Sequence, residues 1–390
     1  MREQRSTIMA AEEVITSGAS LGDIPSALVA LAPGLISRIG QNLTPLIEMK
    51  TILRDKLLED KEILPFEAQP LIQVESMCAV DGARVKEQMY ISDLLVAVAT
   101  TVNARSAKNN LPSLQSSWAD VVRHVDGTDR LAEAAMAAQE VCLAAESPHY
   151  IKILDGSFLT PIIGMTQGLY IKNNTIKEKI ADLLLSQWNA PANLLKIIKP
   201  SVGFSLAIPK SDSADKYSEF YRNKYDIELD AADRFLASQV LKTGELLKPR
   251  KLSELAFNAR VEEVEGSKRV LEAAAALRAS VSEISKMASS GQIYTTYFKP
   301  YGPESLGAVI RFEYIVEENS SEESIVAKAR EYASILNAEC SPPHMMEPFA
   351  QWAVDKIAKQ ISSGTPALRA TLVKALPSEQ AALLAQNYRT

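Results

Sequence analysis

Two aspartates each follow a short run of mostly apolar, β-branched residues and precede a glycine. Asp81 follows Met77–Val80, and Asp155 follows Tyr150–Leu154. Each run predicts a short β-strand that ends at its aspartate. Neighbouring strands in one sheet would bring the two carboxylates side by side. Carboxylate oxygens are the ligands that the hard cations Mg²⁺ and Mn²⁺ take, so the pattern predicts a divalent metal site.

A third acid is expected from the helix that precedes the second strand. This Ala-rich helix is predicted from Thr128 or Asp129 to about Glu146. It carries Glu133 and Glu140, which are seven residues apart and therefore share a face.

Geometry ranks these two glutamates. The strand climbs ~13 Å from Ile151 to Asp155, at about 3.3 Å per residue. Stepping back along the helix from Glu146 covers only ~9 Å to Glu140 but ~20 Å to Glu133, at about 1.5 Å per residue. With an allowance for the connecting loop, we favour Glu133 and keep Glu140 as the alternative.

Such a set of acids indicates phosphodiester hydrolysis. Two metal ions about 3.5–4 Å apart activate a water molecule and stabilise the leaving oxygen of a phosphodiester. The competing interpretation is that Asp-Gly is ordinary turn chemistry, with both aspartates structural. The sequence has no P-loop, no GxGxxG and no HExxH motif.

Two basic residues are candidates for contact with nucleic acid. Lys210 follows an apolar strand and is placed to approach either a phosphate or the acid cluster, although a solvated lysine is the simpler interpretation. Arg311 could contact a DNA backbone, and a pair with Glu313 or another cross-strand neighbour is equally compatible with its position.

The rest of the chain predicts a mixed α/β sheet. Strands before and after Asp81, up to Val102, precede the Glu133 helix, and the Asp155 strand follows it directly. Residues 103–117 are expected to form a polar loop. The 390 residues are 47% hydrophobic, as expected for a globular protein, and the net charge of −6 argues against a passive nucleic-acid coat.

Cysteine usage and hydropathy predict a cytoplasmic protein. Cys78, Cys142 and Cys340 are widely spaced, lie in apolar surroundings and form no CxxC motif. They are interpreted as core thiols rather than a disulfide framework, which favours a reducing compartment. No signal-peptide pattern and no apolar run of 18 residues is present, so neither export nor a membrane span is expected.

The order of several short motifs resembles the NurA family of DNA-repair nucleases. The matching segments cover about residues 70–355 and are Ala79–Gly82, Leu154–Ser157, Pro209–Ser211, Asp233-Arg234, Leu241–Glu245 and Arg311–Glu313. In the family, one metal-binding acid sits in each Asp-Gly segment, matching Asp81 and Asp155. A helical glutamate lies between them, matching Glu133 or Glu140.

The resemblance implies an RNase H-like sheet flanked by helices and manganese- or magnesium-dependent cleavage of DNA. It implies 5′–3′ exonuclease or single-strand endonuclease action in DNA end processing. The implied partners are DNA, a hexameric HerA-type translocase ATPase and a second copy of the chain in a homodimer.

The C-terminal motif departs from the family pattern. A proline-led stretch that ends in Ala-His in the family appears here as Pro343–Gln351. Either Gln351 or His344 is the candidate for the fourth metal-site position. The expected domains are a helical lead-in over residues 1–69, a nuclease domain over 70–361 with a helical insertion at about 212–290, and a tail over 362–390.

Two other functions remain compatible with the sequence. The displaced histidine favours a non-catalytic subunit that keeps the fold and docks the ATPase or DNA. RNase H-like folds also include sugar kinases and actin-like ATPases, but the sequence has no second phosphate-binding glycine loop for such an enzyme.

Overall fold

The computed structural model describes residues 29–70, 73–89, 91–210, 216–226, 232–252, 264–302, 308–340 and 347–385. The chain divides into two units, Met1–Glu59 and Asp60–Thr390. The first unit contains the long helix α1 (Ala32–Glu59), which exposes apolar side chains including Leu35, Ile36 and Ile52. No helix in the described ranges combines the length and the apolar character that crossing a membrane requires.

The second unit is organised around one mixed β-sheet. Its described strands are β1 (Ile63–Pro65), β2 (Met77–Gln88), β3 (Ser92–Asn103), β4 (Gln115–Arg123), β5 (Ile151–Asp155), β6 (Phe204–Ile208), β7 (Glu245–Leu247), β8 (Arg250–Lys251), β9 (Ile293–Lys299) and β10 (Ile310–Ile315). Their order across the sheet is β1-β7-β9-β10-β6-β5-β2-β3-β4, and β8 pairs with β9.

Helices cover both faces of this sheet. The described helices are α2 (Thr128–Glu146), α3 (Thr160–Leu169), α4 (Asn174–Asp182), α5 (Ala190–Ile198), α6 (Lys216–Tyr225), α7 (Asp233–Val240), α8 (Lys268–Ser289), α9 (Glu322–Glu339), α10 (Phe349–Lys359), α11 (Ile361–Ala375) and α12 (Ser378–Ala385). A π-helical turn, Leu183–Gln187, follows α4. One core lies between the sheet and α2–α5 with α8, and the other lies between the sheet and α9 with α10.

The connectivity confirms the predicted α/β class with an RNase H-like mixed sheet. Strands β2, β3 and β4 form an antiparallel meander, and β5 and β6 then add in parallel beside β2. The segment expected to be a helical insertion, about 212–290, also supplies β7 and β8 to the sheet. The described part of the tail, residues 362–385, is mostly helical, and Leu368 and Leu372 of α11 pack against Leu94 and Val96 of β3.

Alternation along the strands determines which face each acid occupies. Met77 and Ala79 belong to the core under α9 and α10, whereas Cys78 and Val80 belong to the core under α2. Because side chains alternate along a strand, Asp81 faces α10. The same alternation places Asp155, after Ile151 and Ile153, on that face.

Candidate metal centre

Asp81 and Asp155 lie at the same level on two paired parallel strands. The last paired residues are Val80 and Leu154, and each aspartate follows directly. Strand β5 ends at Asp155, where Gly156 turns the chain with a φ of 106°. The predicted juxtaposition of the two aspartates therefore occurs.

The strand that carries Asp81 does not end there. It continues through Gly82 to Gln88, held by antiparallel pairing with β3 along its whole length. The prediction that the first strand ends at Asp81 is wrong, because pairing with β3 continues the strand seven residues further, to Gln88. Beyond Val80, no residue of β5 pairs with β2. This leaves a gap beside Asp81 and Gly82, called the notch below, in which groups from both faces of the sheet can meet.

A third aspartate, Asp355 of α10, joins the pair. Single carboxylate oxygens of Asp81, Asp155 and Asp355 all lie within 4.8 Å of one another. Asp355 is not among the residues predicted from the sequence. Its signal was the spacing from Gln351, because two polar residues four apart share one helix face, and on α10 that face is the buried one.

Glu140, and not Glu133, approaches the aspartates. A Cβ placed on Gly82 would lie 2.6 Å from Oε1 of Glu140. The Glu133 carboxylate instead pairs with Arg130 at 2.7 Å and with Arg84 at 3.6 Å. The ranking of the two glutamates by height along α2 is thus reversed.

The direction of helical side chains explains the reversal. Heights along α2 at about 1.5 Å per residue are those of the backbone and leave out the direction of the side chains. In a helix, long side chains tilt toward the N-terminus. The N-terminal direction of α2 leads toward the notch, so this tilt carries the Glu140 carboxylate toward Gly82.

Gln351 completes the inner surface of the site. Its side chain is fully buried, and its Nε2 donates to Asp155 Oδ1 and, at 3.3 Å, to the Ile208 carbonyl. Its Oε1 is buried and has no hydrogen-bond partner among the residues that the structure describes. His344, the other candidate for this position, lies outside the described residues.

Lys210 introduces a positive charge among the acids. Its Nζ lies 2.8 Å from Asp155 Oδ2, 3.4 Å from Asp355 Oδ1 and 3.8 Å from Glu347 Oε2. Burial opposes the charged ammonium, but the hydrogen bond to Asp155 and the surrounding carboxylates raise the pKa of Lys210 above its usual value. Of the two alternatives left open for this residue, the structure shows the contact with acids.

The clustering of acids changes their protonation. Burial and the neighbouring Asp155 carboxylate raise the pKa of Asp81 to about 7. Burial, with the charges of Asp81 and Asp155, raises the pKa of Glu140 well above its usual range. The site therefore holds more negative charge than its own surroundings compensate, which a bound cation would relieve.

Arg311 is not available to DNA. Only 3% of its side chain is exposed, and it forms an ion pair with Glu313, which is fully buried. Glu313 also accepts hydrogen bonds from the Ser157 hydroxyl and the Phe158 N–H. Of the two alternatives left open for Arg311, the structure shows the pair with Glu313, and this pair anchors the turn that follows Asp155.

The donor set fits a hard divalent cation. Its side chains offer oxygen only: the carboxylates of Asp81, Glu140, Asp155 and Asp355 and the buried amide oxygen of Gln351. Mg²⁺ and Mn²⁺ take such ligands, and the described part of the site contains no thiolate or imidazole that would favour a softer metal.

No protein-family model matches this sequence, and no curated protein sequence does. The crystal structure of the NurA nuclease from Sulfolobus solfataricus aligns with a TM-score of 0.56 and 16% identity, covering 92% of this chain and 100% of that one. A NurA structure bound to dAMP and manganese aligns with a TM-score of 0.44, 12% identity, and 91% and 100% coverage. The first alignment supports the shared architecture, and the chain has the fold of a NurA nuclease.

Proposed function

We propose that the chain is a divalent-metal-dependent deoxyribonuclease of the NurA type, with manganese or magnesium as its metal. The observation that carries the proposal is the convergence of four acids from both faces of the sheet on one notch. The shared fold with a NurA nuclease and the order of the sequence motifs support the same reaction.

In this proposal Asp81, Asp155, Asp355 and Glu140 hold the metal, and Glu133 does not. The ion supplies a more acidic water nucleophile and a positive charge beside the phosphodiester. The protein's own contribution is to fix the carboxylates. Gln351 orients Asp155 through Oδ1, and the Gly82 N–H donates to Asp81 at 2.8 Å.

DNA contacts are assigned to three basic residues around the notch. Lys210 lies at the acids themselves. Arg84 and Arg130 share the Glu133 carboxylate, with 35% and 40% of their side chains exposed. Arg84 is three residues beyond Asp81 on β2, or ~10 Å at about 3.3 Å per residue. By alternation the Arg84 side chain lies on the α2 side of β2, so a strand with its scissile phosphate at the acids would reach these arginines by continuing from the notch along that side.

The wider assignment rests on the motif resemblance. It comprises cleavage of DNA ends or single strands, a homodimer, a HerA-type hexameric ATPase as motor, and a cytoplasmic setting. The net charge of −6 is compatible with a motor partner that supplies much of the grip on DNA.

The decisive experiment is cleavage of end-labelled linear duplex and single-stranded DNA with Mn²⁺, Mg²⁺ or EDTA. The wild type should cut only with a divalent ion, and Asp155→Asn should not cut. The matched control is Asp182→Asn, which removes an exposed carboxylate paired with Arg269 outside the acid cluster. Cutting that survives in Asp155→Asn, or in EDTA, contradicts the proposal.

A non-catalytic subunit is the second candidate, and Gln351 favours it. With Gln351 at the position where the motif resemblance expects a histidine, the site holds an amide, which neither accepts a proton near neutral pH nor binds metal as strongly as imidazole. A protein that binds the ATPase but cleaves no DNA, alone or in the complex, would identify this role.

A further inference from the structure

Lys210 uses the same carboxylate oxygens that a metal ion needs. Its ammonium lies within 4 Å of three acids, and its closest contact is Oδ2 of Asp155. We propose that Lys210 is an internal counter-cation that competes with the divalent ion for Asp155 and Asp355, and so sets the metal concentration at which the site fills. This inference rests on the proposed metal-dependent function.

Both oxygens of Asp155 are already engaged by protein donors. Gln351 donates to Oδ1, and Lys210 donates to Oδ2. An ion that takes Oδ2 must displace the ammonium. If the ammonium stayed, it would face a doubly charged ion across a few ångströms in a partly buried site, where repulsion is weakly screened.

At Asp355, too, lysine ammonium groups occupy an oxygen that a metal ion would need. Its Oδ1 lies 3.4 Å from Lys210 and 2.7 Å from Lys359. The two lysines differ in what else they touch. Lys359 is 66% exposed and follows Asp355 by one helical turn, so it forms an ordinary surface pair. Lys210 also reaches Asp155 and Glu347, and only this lysine bridges the elements that form the described acid cluster.

The Lys210 ammonium can move away from the carboxylates without unfolding the surrounding structure. It lies two residues beyond the end of β6, and 46% of its side chain is exposed. Its long aliphatic chain lets the ammonium move from the carboxylates to the solvent side of the notch. In that position the ammonium faces an incoming DNA phosphate. Binding of the metal ion, which displaces the ammonium, therefore favours its contact with the phosphate.

The test is calorimetric titration of Mn²⁺ into the full-length protein without DNA. Lys210→Met should bind Mn²⁺ roughly tenfold more tightly than the wild type, equivalent to about 1.4 kcal/mol. Lys210→Arg keeps the charge and should bind within about threefold of the wild type. Lys359→Met, the matched control, removes the exposed pair to the same aspartate and should also change affinity by less than about threefold.

Lys210→Gln provides a second neutral variant should the methionine variant not fold, with thermal unfolding in EDTA as the check. Unchanged or weaker Mn²⁺ binding by the neutral variants overturns the competition. An equal gain in Lys359→Met overturns the special role of Lys210. If the wild type and all variants fail to bind Mn²⁺, the metal site of the proposed function fails. Mn²⁺ binding without DNA cleavage removes the nuclease function but leaves the competition standing.

Discussion

The Glu140 carboxylate lies in the space that a side chain at Gly82 would occupy. A Cβ on Gly82 would sit 2.6 Å from Glu140 Oε1 and 2.9 Å from the Val98 carbonyl. Asp81 faces α10 while Glu140 comes from α2, so this gap in β2 is where the acid from the opposite face gains access to the notch.

Gly82→Ala should therefore weaken metal binding by displacing Glu140. We expect a loss of about tenfold or more in Mn²⁺ affinity, since one carboxylate leaves the site. In a Glu140→Ala background the same change should cost less affinity, because the displaced ligand is already gone and only the close contacts with Met136 and the Val98 carbonyl remain. Calorimetric titration measures both.

Gly364→Ala is the control for that substitution. Gly364 lies in α11, where an added Cβ meets nothing within 4 Å. Its Mn²⁺ affinity should equal that of the wild type. Equal affinities for Gly82→Ala and Gly364→Ala would show that Glu140 is not a ligand.

Substitutions of the two glutamates of α2 should have different effects on the rate of DNA cleavage. Glu140→Gln removes a charge beside Asp81 and should lower Mn²⁺-dependent cleavage about 100-fold or more, as loss of a ligand does. Glu133→Gln affects only a partly exposed pair with Arg84 and Arg130 and should retain cleavage within severalfold. The reverse outcome would restore Glu133 to the metal site.

The sequence predicted the centre of the sheet because its signals are local. The apolar runs before Asp81 and Asp155 gave β2 and β5, and Ala-rich composition gave α2 from Thr128 to Glu146. The expected cap by Thr128 or Asp129 is wrong, because Gly127 is the N-cap and no side chain caps the helix. Strand β4 was largely missed and its first residues were assigned to the 103–117 loop, because it lies at the sheet edge and most of its side chains are exposed or half-buried. An edge strand needs little apolar patterning. Hydrogen bonding to β3 holds β4 in the sheet, and the sequence alone does not reveal this pairing.

The site itself was predictable only for the two acids that lie on neighbouring strands. Asp81 and Asp155 are related by strand pairing, which apolar patterns reveal. Asp355 comes from a helix 200 residues beyond Asp155 in sequence, and only tertiary packing brings α10 onto β2. The alternation of polar and apolar residues around Arg311 suggested that one face of its strand is exposed. Both faces of β10 are buried, and the sequence does not reveal this.

The metal-free protein should lose stability as pH rises toward neutrality. Asp81 has a pKa of about 7 in the folded chain, against an ordinary value of 3.8. The folded state therefore holds this proton more tightly than the unfolded state does. The contribution of Asp81 to the free energy of unfolding is greatest below pH 3.8 and falls between there and about pH 7, by on the order of 2–4 kcal/mol.

Urea denaturation in EDTA across this pH range measures the effect. Asp81→Asn should show a flatter profile, because the neutral amide does not titrate. Added Mn²⁺ should restore the stability of the wild type at pH 7 and above, since the ion favours the ionised acids. Parallel profiles for the wild type and Asp81→Asn would contradict the raised pKa.

Arg311 should contribute to stability and not to DNA binding. Arg311→Met leaves Glu313 buried without its partner and should reduce the free energy of unfolding by about 3–5 kcal/mol. Arg311→Met with Glu313→Gln should recover part of that loss. Chemical denaturation gives these values. A normal stability combined with weaker, less salt-dependent DNA binding would return Arg311 to the DNA surface.

Arg84 and Arg130 should affect DNA cleavage but not the chemistry of a small substrate. The double variant Arg84→Ala/Arg130→Ala removes two half-exposed charges next to the notch and should weaken DNA binding about tenfold, with a shallower dependence on salt. Hydrolysis of the p-nitrophenyl ester of thymidine 5′-monophosphate needs only the acids and the metal, so its rate should stay within about twofold of the wild type. Arg269→Ala, which removes a similarly exposed arginine from α8, is the control and should change neither activity. A parallel loss on both substrates would mean that the arginines support the acid cluster through Glu133 and do not contact DNA.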